Sequence, residues 1–177
     1  MAQEHDQLSP VVFTKPTRVL IVQSPYYSGI AAELSAGALS AIEAAGASGE
    51  IINVPGALEI PTAIKLAATH FDAFVALGCV IRGETTHYET VCNDSSRALS
   101  LLGLEGMCIG NGILTVENMQ QAEVRAQASG QNKGGGAAEA ALHLLAIKRR
   151  FTNSAKGRIA PSSEHILMAG EPDKGKA

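Results

Sequence analysis

Residues Val80 to Asn93 read Val-Ile-Arg-Gly-Glu-Thr-Thr-His-Tyr-Glu-Thr-Val-Cys-Asn, and they continue an apolar run, Ala73 to Val80 (AFVALGCV). That run has the length and continuity of a strand buried on both faces. Beyond it the chain takes up a helical pattern, with Val91, Ser95, Ala98 and Leu102 in register. A strand that ends in a Gly-containing turn and opens a helix makes an anion site. Its first-turn N–H groups have no intrahelical acceptor, and the helix dipole favours negative charge there. Thr85 or Thr86 can cap that helix. His87 lies in its first turn, where a side chain that titrates near neutral pH is suited to moving a proton beside a bound anion. Spacing alone fits an ordinary surface histidine better, so the rest of the chain has to decide.

Working outward, Arg18 to Gln23 (RVLIVQ) is a second apolar strand, and Ser24 to Gly29 is the loop at its carboxyl end. From Ile30 to about Ala45 the positions Ile30, Leu34, Ala38, Ala41 and Ala45 form one helical stripe, ended by Gly46 and Gly49. Glu50 to Val54 is a further strand. Pro55 and Pro61 stiffen the loop around Glu59, and Pro61 suits the first turn of a helix reaching about His70. On the other side, Met107 to Leu114 is a fourth strand. Thr115 and Glu117 offer a cap and a first-turn acid for a helix carrying Arg125. Residues 130–136 (GQNKGGG) break that helix, and Ala137 to Phe151 forms the last one, with Lys148, Arg149 and Arg150 at its carboxyl end.

Strands alternating with helices predict an α/β domain with a parallel sheet. Ligands of such sheets bind outside the carboxyl ends of the strands. The loops there are Tyr26-Tyr27, Ala57-Leu58-Glu59, Cys79 to His87, and Gly110-Asn111-Gly112. The residues singled out for their chemistry fall in these same loops, which strengthens the case for His87.

The chain has 177 residues, 46% hydrophobic and 18% charged, which is a globular composition with room for one core. It has no Trp and few aromatics, so Ala, Leu, Ile and Val must fill that core. A net charge of −3 argues against nucleic acid as a partner. Cys79, Cys92 and Cys108 lack metal-ligand spacing and read as reduced thiols. The amino terminus has no signal-peptide pattern, and no apolar run approaches the ~18 residues of a membrane span, so a cytoplasmic protein is expected. Residues 1–16 are expected to be a flexible arm in which Val11-Val12-Phe13 pairs as an edge strand. Residues 17–151 form the domain, and residues 152–177 are expected to be a polar, disordered tail.

Three strings go further. Val-Pro-Gly-Ala-Leu-Glu-Ile-Pro at 54–61, Gly-Cys-Val-Ile-Arg-Gly-Glu-Thr-Thr-His-Tyr at 78–88, and Thr-Val-Glu-Asn at 115–118 followed by Arg125 and Asn132-Lys133-Gly134 resemble the lumazine synthase family. The similarity covers about Arg18 to Phe151, in order and with few gaps. It implies a three-layer α/β/α sandwich on a four-stranded parallel sheet, flavodoxin-like in type. It also implies homopentamers, in some members twelve of them in an icosahedral shell, with active sites shared between neighbours and riboflavin synthase as a candidate partner. The implied reaction, the penultimate step of riboflavin biosynthesis, condenses 5-amino-6-(D-ribitylamino)uracil with 3,4-dihydroxy-2-butanone 4-phosphate. The products are 6,7-dimethyl-8-ribityllumazine, phosphate and water, and no cofactor or metal takes part.

Carried onto this sequence, the resemblance implies that Tyr26 stacks on the pyrimidine, where Phe or Trp is more usual. It gives Ala57, Leu58 and Glu59 the ribityl chain, and it has Cys79, Val80 and Ile81 offer backbone groups to the flat ring. Cys79 stands where Thr is also common, so its sulfur is assigned no chemistry. Glu84 and Thr85 match the phosphate turn, with the Glu84 backbone N–H binding while its carboxylate points away. Arg125 of the adjacent subunit matches the arginine that grips phosphate, for which a guanidinium fork is well shaped. Lys133 matches a neighbour's lysine that contacts substrate. Asn111, also assigned to the substrate, stands where many members carry an aromatic against the ring. His87 matches the proton donor. Two other readings make different demands: a non-catalytic flavin- or lumazine-binding oligomer on the same scaffold needs no turnover, and a flavodoxin-like receiver or interaction domain needs no pentamer.

Overall fold

The computed structural model describes residues 8–156, with side chains as far as Thr152. Its elements are β1 (Arg18–Gln23), α1 (Ser28–Ala44), β2 (Ser48–Asn53), a 3-10 turn (Ala57–Glu59), α2 (Ile60–Leu66), β3 (Ala73–Ile81), α3 (His87–Leu104), β4 (Ile109–Val116), α4 (Met119–Ala126) and α5 (Lys133–Lys156). All four strands are parallel, in the order β2-β1-β3-β4. Alternate residues of the central strands feed the two faces. Val19, Ile21, Val75 and Leu77 pack under α1, α4 and α5, while Leu20, Val22, Phe74 and Ala76 pack over α2 and α3. Both faces are thus covered, which is why β1 and β3 read as continuous apolar runs rather than alternating ones. This is the three-layer α/β/α sandwich expected from the sequence.

Local differences have local causes. β4 runs to Val116, two residues past the expected Leu114, because β3 is long enough to pair Val80 with Thr115 and Ile81 with Val116. Thr115 is therefore a strand residue, and it is Asn118 that caps α4. Its backbone is extended, and its side chain accepts the Gln121 N–H at 3.0 Å. α2 stops at Leu66, short of His70. Along α3 the buried series is Val91, Ser95, Leu99 and Leu102, with Leu99 taking the place expected of Ala98.

The largest difference is at α5. Its helix opens at Lys133, and the three glycines expected to break the chain lie inside it. A Cβ on Gly134 would stand 2.0 Å from the Leu34 carbonyl oxygen, so glycine here lets α5 lie directly on α1. The turn before it is closed by Asn132, whose backbone is left-handed (φ 45°) and whose Oδ1 accepts the Gly135 N–H at 3.1 Å. At the other end α5 continues to Lys156. Lys148 and Arg149 are therefore not terminal. They reach to the amino ends of the strands, Lys148 donating to the Gly106 carbonyl at 2.8 Å and Arg149 to the Thr17 hydroxyl at 2.8 Å. Val11-Val12-Phe13 forms no strand within the chain. The Phe13 N–H bonds to the Ala45 carbonyl, and its ring lies under Arg149. The tail beyond Lys156 and the first seven residues of the arm lie outside the described residues.

Candidate active site

Strand order 2-1-3-4 sends the chain outward in opposite directions from β1 and β3, which opens a crevice at their carboxyl ends. A cavity of about 390 Å³ lies there, within the range of small-molecule sites. Ser24, Tyr26 and Tyr27 come from the end of β1. Pro55, Gly56, Ala57 and Glu59 come from the loop after β2. Cys79, Val80 and Ile81 come from the end of β3, and His87 from the start of α3. Of the residues expected to meet the pyrimidine and its sugar chain, Leu58 and Asn111 are missing from this wall, and Leu58 is the one on its own loop. It projects outward from the 3-10 turn and is partly exposed.

Each wall residue is placed by simple local geometry. The 3-10 turn brings Glu59 back over Gly56, where a Cβ would lie 2.8 Å from the Glu59 carboxylate. Tyr26 is 76% exposed, lines the cavity and meets Tyr27 edge to face at 5.0 Å, so most of its ring remains open to a ligand. Burial, and then the neighbouring Tyr26 and Cys79, push the Tyr27 phenol above its ordinary pKa. Burial alone pushes the Cys79 thiol to about 11. A thiol so reluctant to ionise is a poor nucleophile.

His87 is the first residue of α3 and is exposed at the cavity rim. The expected threonine cap is not made. Thr86 occupies the N-cap position with a near-helical backbone (φ −68°, ψ 0°) that does not turn its hydroxyl back onto the first turn. Thr85 Oγ1 instead accepts the His87 N–H at a long 3.4 Å. Glu84 and Thr85 are both exposed on the turn beside the cavity.

Asn111, Arg125 and Lys133 are elsewhere. They line a separate cleft of about 480 Å³ on the outer side of β4, with Thr115, Gly136 and Ala140. Arg125 is held by its own helix, donating to the Gln121 carbonyl at 3.0 Å. Asn111 turns its Oδ1 onto the Ile113 N–H at 3.0 Å. Within one chain, then, the expected site residues divide into two groups. Among the described residues no group of three or more His, Cys, Asp or Glu side chains is placed to hold a metal ion. No helix there is long and apolar enough to cross a membrane.

Residues 16–149 match the family model for 6,7-dimethyl-8-ribityllumazine synthase. The chain belongs to this family. Proteins named 6,7-dimethyl-8-ribityllumazine synthase are similar to it over most of both lengths. One from Methylorubrum populi is 60% identical over 141 residues, covering 75% of this chain and 83% of that one. One from Jannaschia sp. is 56% identical over 141 residues, covering 78% and 79%. One from Sphingopyxis alaskensis is 55% identical over 135 residues, covering 75% and 96%. The matched region runs from just before β1 into α5 and so includes both clefts.

Some wall residues were not singled out from sequence. Ser24, Pro55 and Gly56 come directly after strand ends, so the rule that ligands sit at those ends could have found them. Tyr27 carried the same signal as Tyr26. Arg82, next to this wall but not part of it, carried no such signal, because its side-chain partners only come together in the fold.

Proposed function

We propose that this chain condenses 5-amino-6-(D-ribitylamino)uracil with 3,4-dihydroxy-2-butanone 4-phosphate to give 6,7-dimethyl-8-ribityllumazine, phosphate and water. The observation that carries the reading is the gathering of Tyr26, Glu59, Cys79, Val80, Ile81 and His87 around one crevice at the switch point of the sheet. An aromatic face suits the flat pyrimidine, and the backbone at the end of β3 can bond to its edge. The Glu59 carboxylate can accept from adjacent sugar hydroxyls. The turn at Glu84 and Thr85 presents helix-start N–H groups to a phosphate.

The pyrimidine supplies its own amine, so attack on the butanone carbonyl needs no lysine Schiff base. Imine formation, loss of phosphate and ring closure all move protons, and His87 is the titratable group at the rim to carry them. Holding two reactants in register supplies much of the acceleration.

We further propose that the working site is shared between neighbouring copies in a homopentamer or a multiple of it. Arg125 and Lys133 carry the charge a phosphate calls for, yet they line the other cleft of the same chain. A second copy that brings its β4 cleft against the His87 crevice would unite the two sets. The free thiols of Cys79, Cys92 and Cys108 support a reducing, cytoplasmic setting. The test is a turnover assay with both substrates, read by lumazine fluorescence. Product formation that depends on both substrates is expected. Tight binding of the lumazine without turnover would overturn the assignment.

A further inference from the structure

Arg82 ends β3 one residue past the last strand position and lies outside the crevice wall. Its contacts gather three elements. Its N–H bonds to the Val116 carbonyl at 2.9 Å, which extends the β3–β4 ladder by a step. Its Nε reaches both carboxylate oxygens of Glu117, at 2.9 and 3.1 Å, in the link between β4 and α4. Its Nη1 donates to Glu89 in the first turn of α3. Its guanidinium carbon lies 4.1 Å from the centre of the Tyr88 ring.

We propose that Arg82 is a positioning residue for the reaction assigned above. It straps the turn carrying Glu84, Thr85 and His87 to the start of α4. Tyr88 and Glu89 come directly after His87, so fixing them fixes where the imidazole and the helix-start N–H groups stand. The strap also ends beside Asn118, the cap of α4, the helix that carries Arg125. The inference rests on the proposed condensation, because positioning has meaning only for a reaction that occurs here.

A direct phosphate role for Arg82 does not fit. Two carboxylates already occupy its guanidinium and outnumber it, which leaves the cluster unfavourable for an anion. Each of these ion pairs is exposed and worth little alone. Their effect is geometric, because all the links end on one planar group. Lysine cannot copy this, since an ammonium has neither the fork nor the flat face to lie on Tyr88.

The experiment compares the unaltered protein with Arg82→Lys and Arg82→Gln. Assembly mass, melting temperature and steady-state kinetics are measured with each substrate varied in turn. Both variants are expected to assemble and melt like the parent. In both, the KM for the phosphate ester should rise about tenfold and kcat should fall several-fold, with the pyrimidine KM nearly unchanged, as expected when a catalytic turn is slightly misplaced. Parent kinetics in Arg82→Lys would show that charge alone suffices and would overturn the proposal. Parent kinetics in both variants would overturn it equally. Should the Arg82 variants fail to fold, Glu117→Gln cuts the same strap. Positioning predicts that its phosphate-ester KM rises. Simple electrostatics predicts a fall, since a negative charge is removed, and a fall or no change would contradict the inference. If the unaltered protein makes no lumazine, the reaction assignment fails, and the positioning role falls with it.

Discussion

The crevice over β1 and β3 is made of strand ends and short loops. The cleft beside β4 is made of the exposed side of an edge strand and the faces of α4 and α5. The first holds groups suited to a flat ring, a sugar chain and a proton. The second holds Arg125 and Lys133, groups suited to an anion. Neither alone has everything the condensation asks for. This division is what a site completed by a second copy would look like from inside one chain, and it predicts that damage to the two clefts should differ in kind.

His87→Ala should give the largest effect. It removes the proposed proton carrier and leaves the positioning intact, so kcat should fall by about a hundredfold without reaching zero. Steady-state kinetics with both substrates saturating checks this, and complete loss from a folded, assembled variant would contradict it. Arg125→Ala, in the other cleft, should act on binding. Losing a charge-assisted contact to phosphate is worth about 1.5–3 kcal/mol. The KM for the butanone phosphate should therefore rise by about ten- to a hundredfold, with the pyrimidine KM little changed. An unchanged phosphate-ester KM would erase the distinction between the clefts.

Gly134→Ala tests what the second cleft stands on. The added Cβ meets the Leu34 backbone, so α5 must move off α1. A loss of about 1–3 kcal/mol is expected by denaturant unfolding. The smallest effect is on the titration of Glu89, one end of the strap between the clefts. The Arg82 guanidinium, with the Glu89 backbone N–H, holds the Glu89 carboxyl below the usual carboxylate range. A carboxylate whose folded pKa is depressed stabilises the fold above its unfolded value of ~4.3 and loses that contribution as pH falls through the folded value. An NMR titration should show Glu89 ionising below that unfolded value in the parent and close to it in Arg82→Gln.

The two regions also differ in how far the sequence revealed them. β1 was legible to the residue, and the crevice was legible because strand ends in a parallel sheet announce themselves in apolar runs that give way to Gly, Pro and Thr. The β4 side was not. Gly134-Gly135-Gly136 reads as a break by local propensity, but the close packing of α5 on α1 needs Gly134 to lack a Cβ, and that packing overrides the propensity. Thr115 looked like a cap because the length of β3, which extends β4 past it, is a property of the pairing and not of the local sequence. Arg82 meets Glu117 across 35 residues of chain, and no spacing rule connects them. Arg125 was placed near phosphate only by resemblance, since nothing in its own helix distinguishes it from a surface arginine.

The most direct test of a site shared between copies is complementation. His87→Ala and Arg125→Ala chains are co-expressed with different tags, the hybrid assemblies purified, and turnover measured at low butanone phosphate. In a ring of heterologous contacts assembled at random, about a quarter of the interfaces would pair an intact crevice with an intact β4 cleft. Activity well above that of either parent variant is predicted. Hybrids no more active than the mean of the two parents would show that each chain works alone, and would contradict the account.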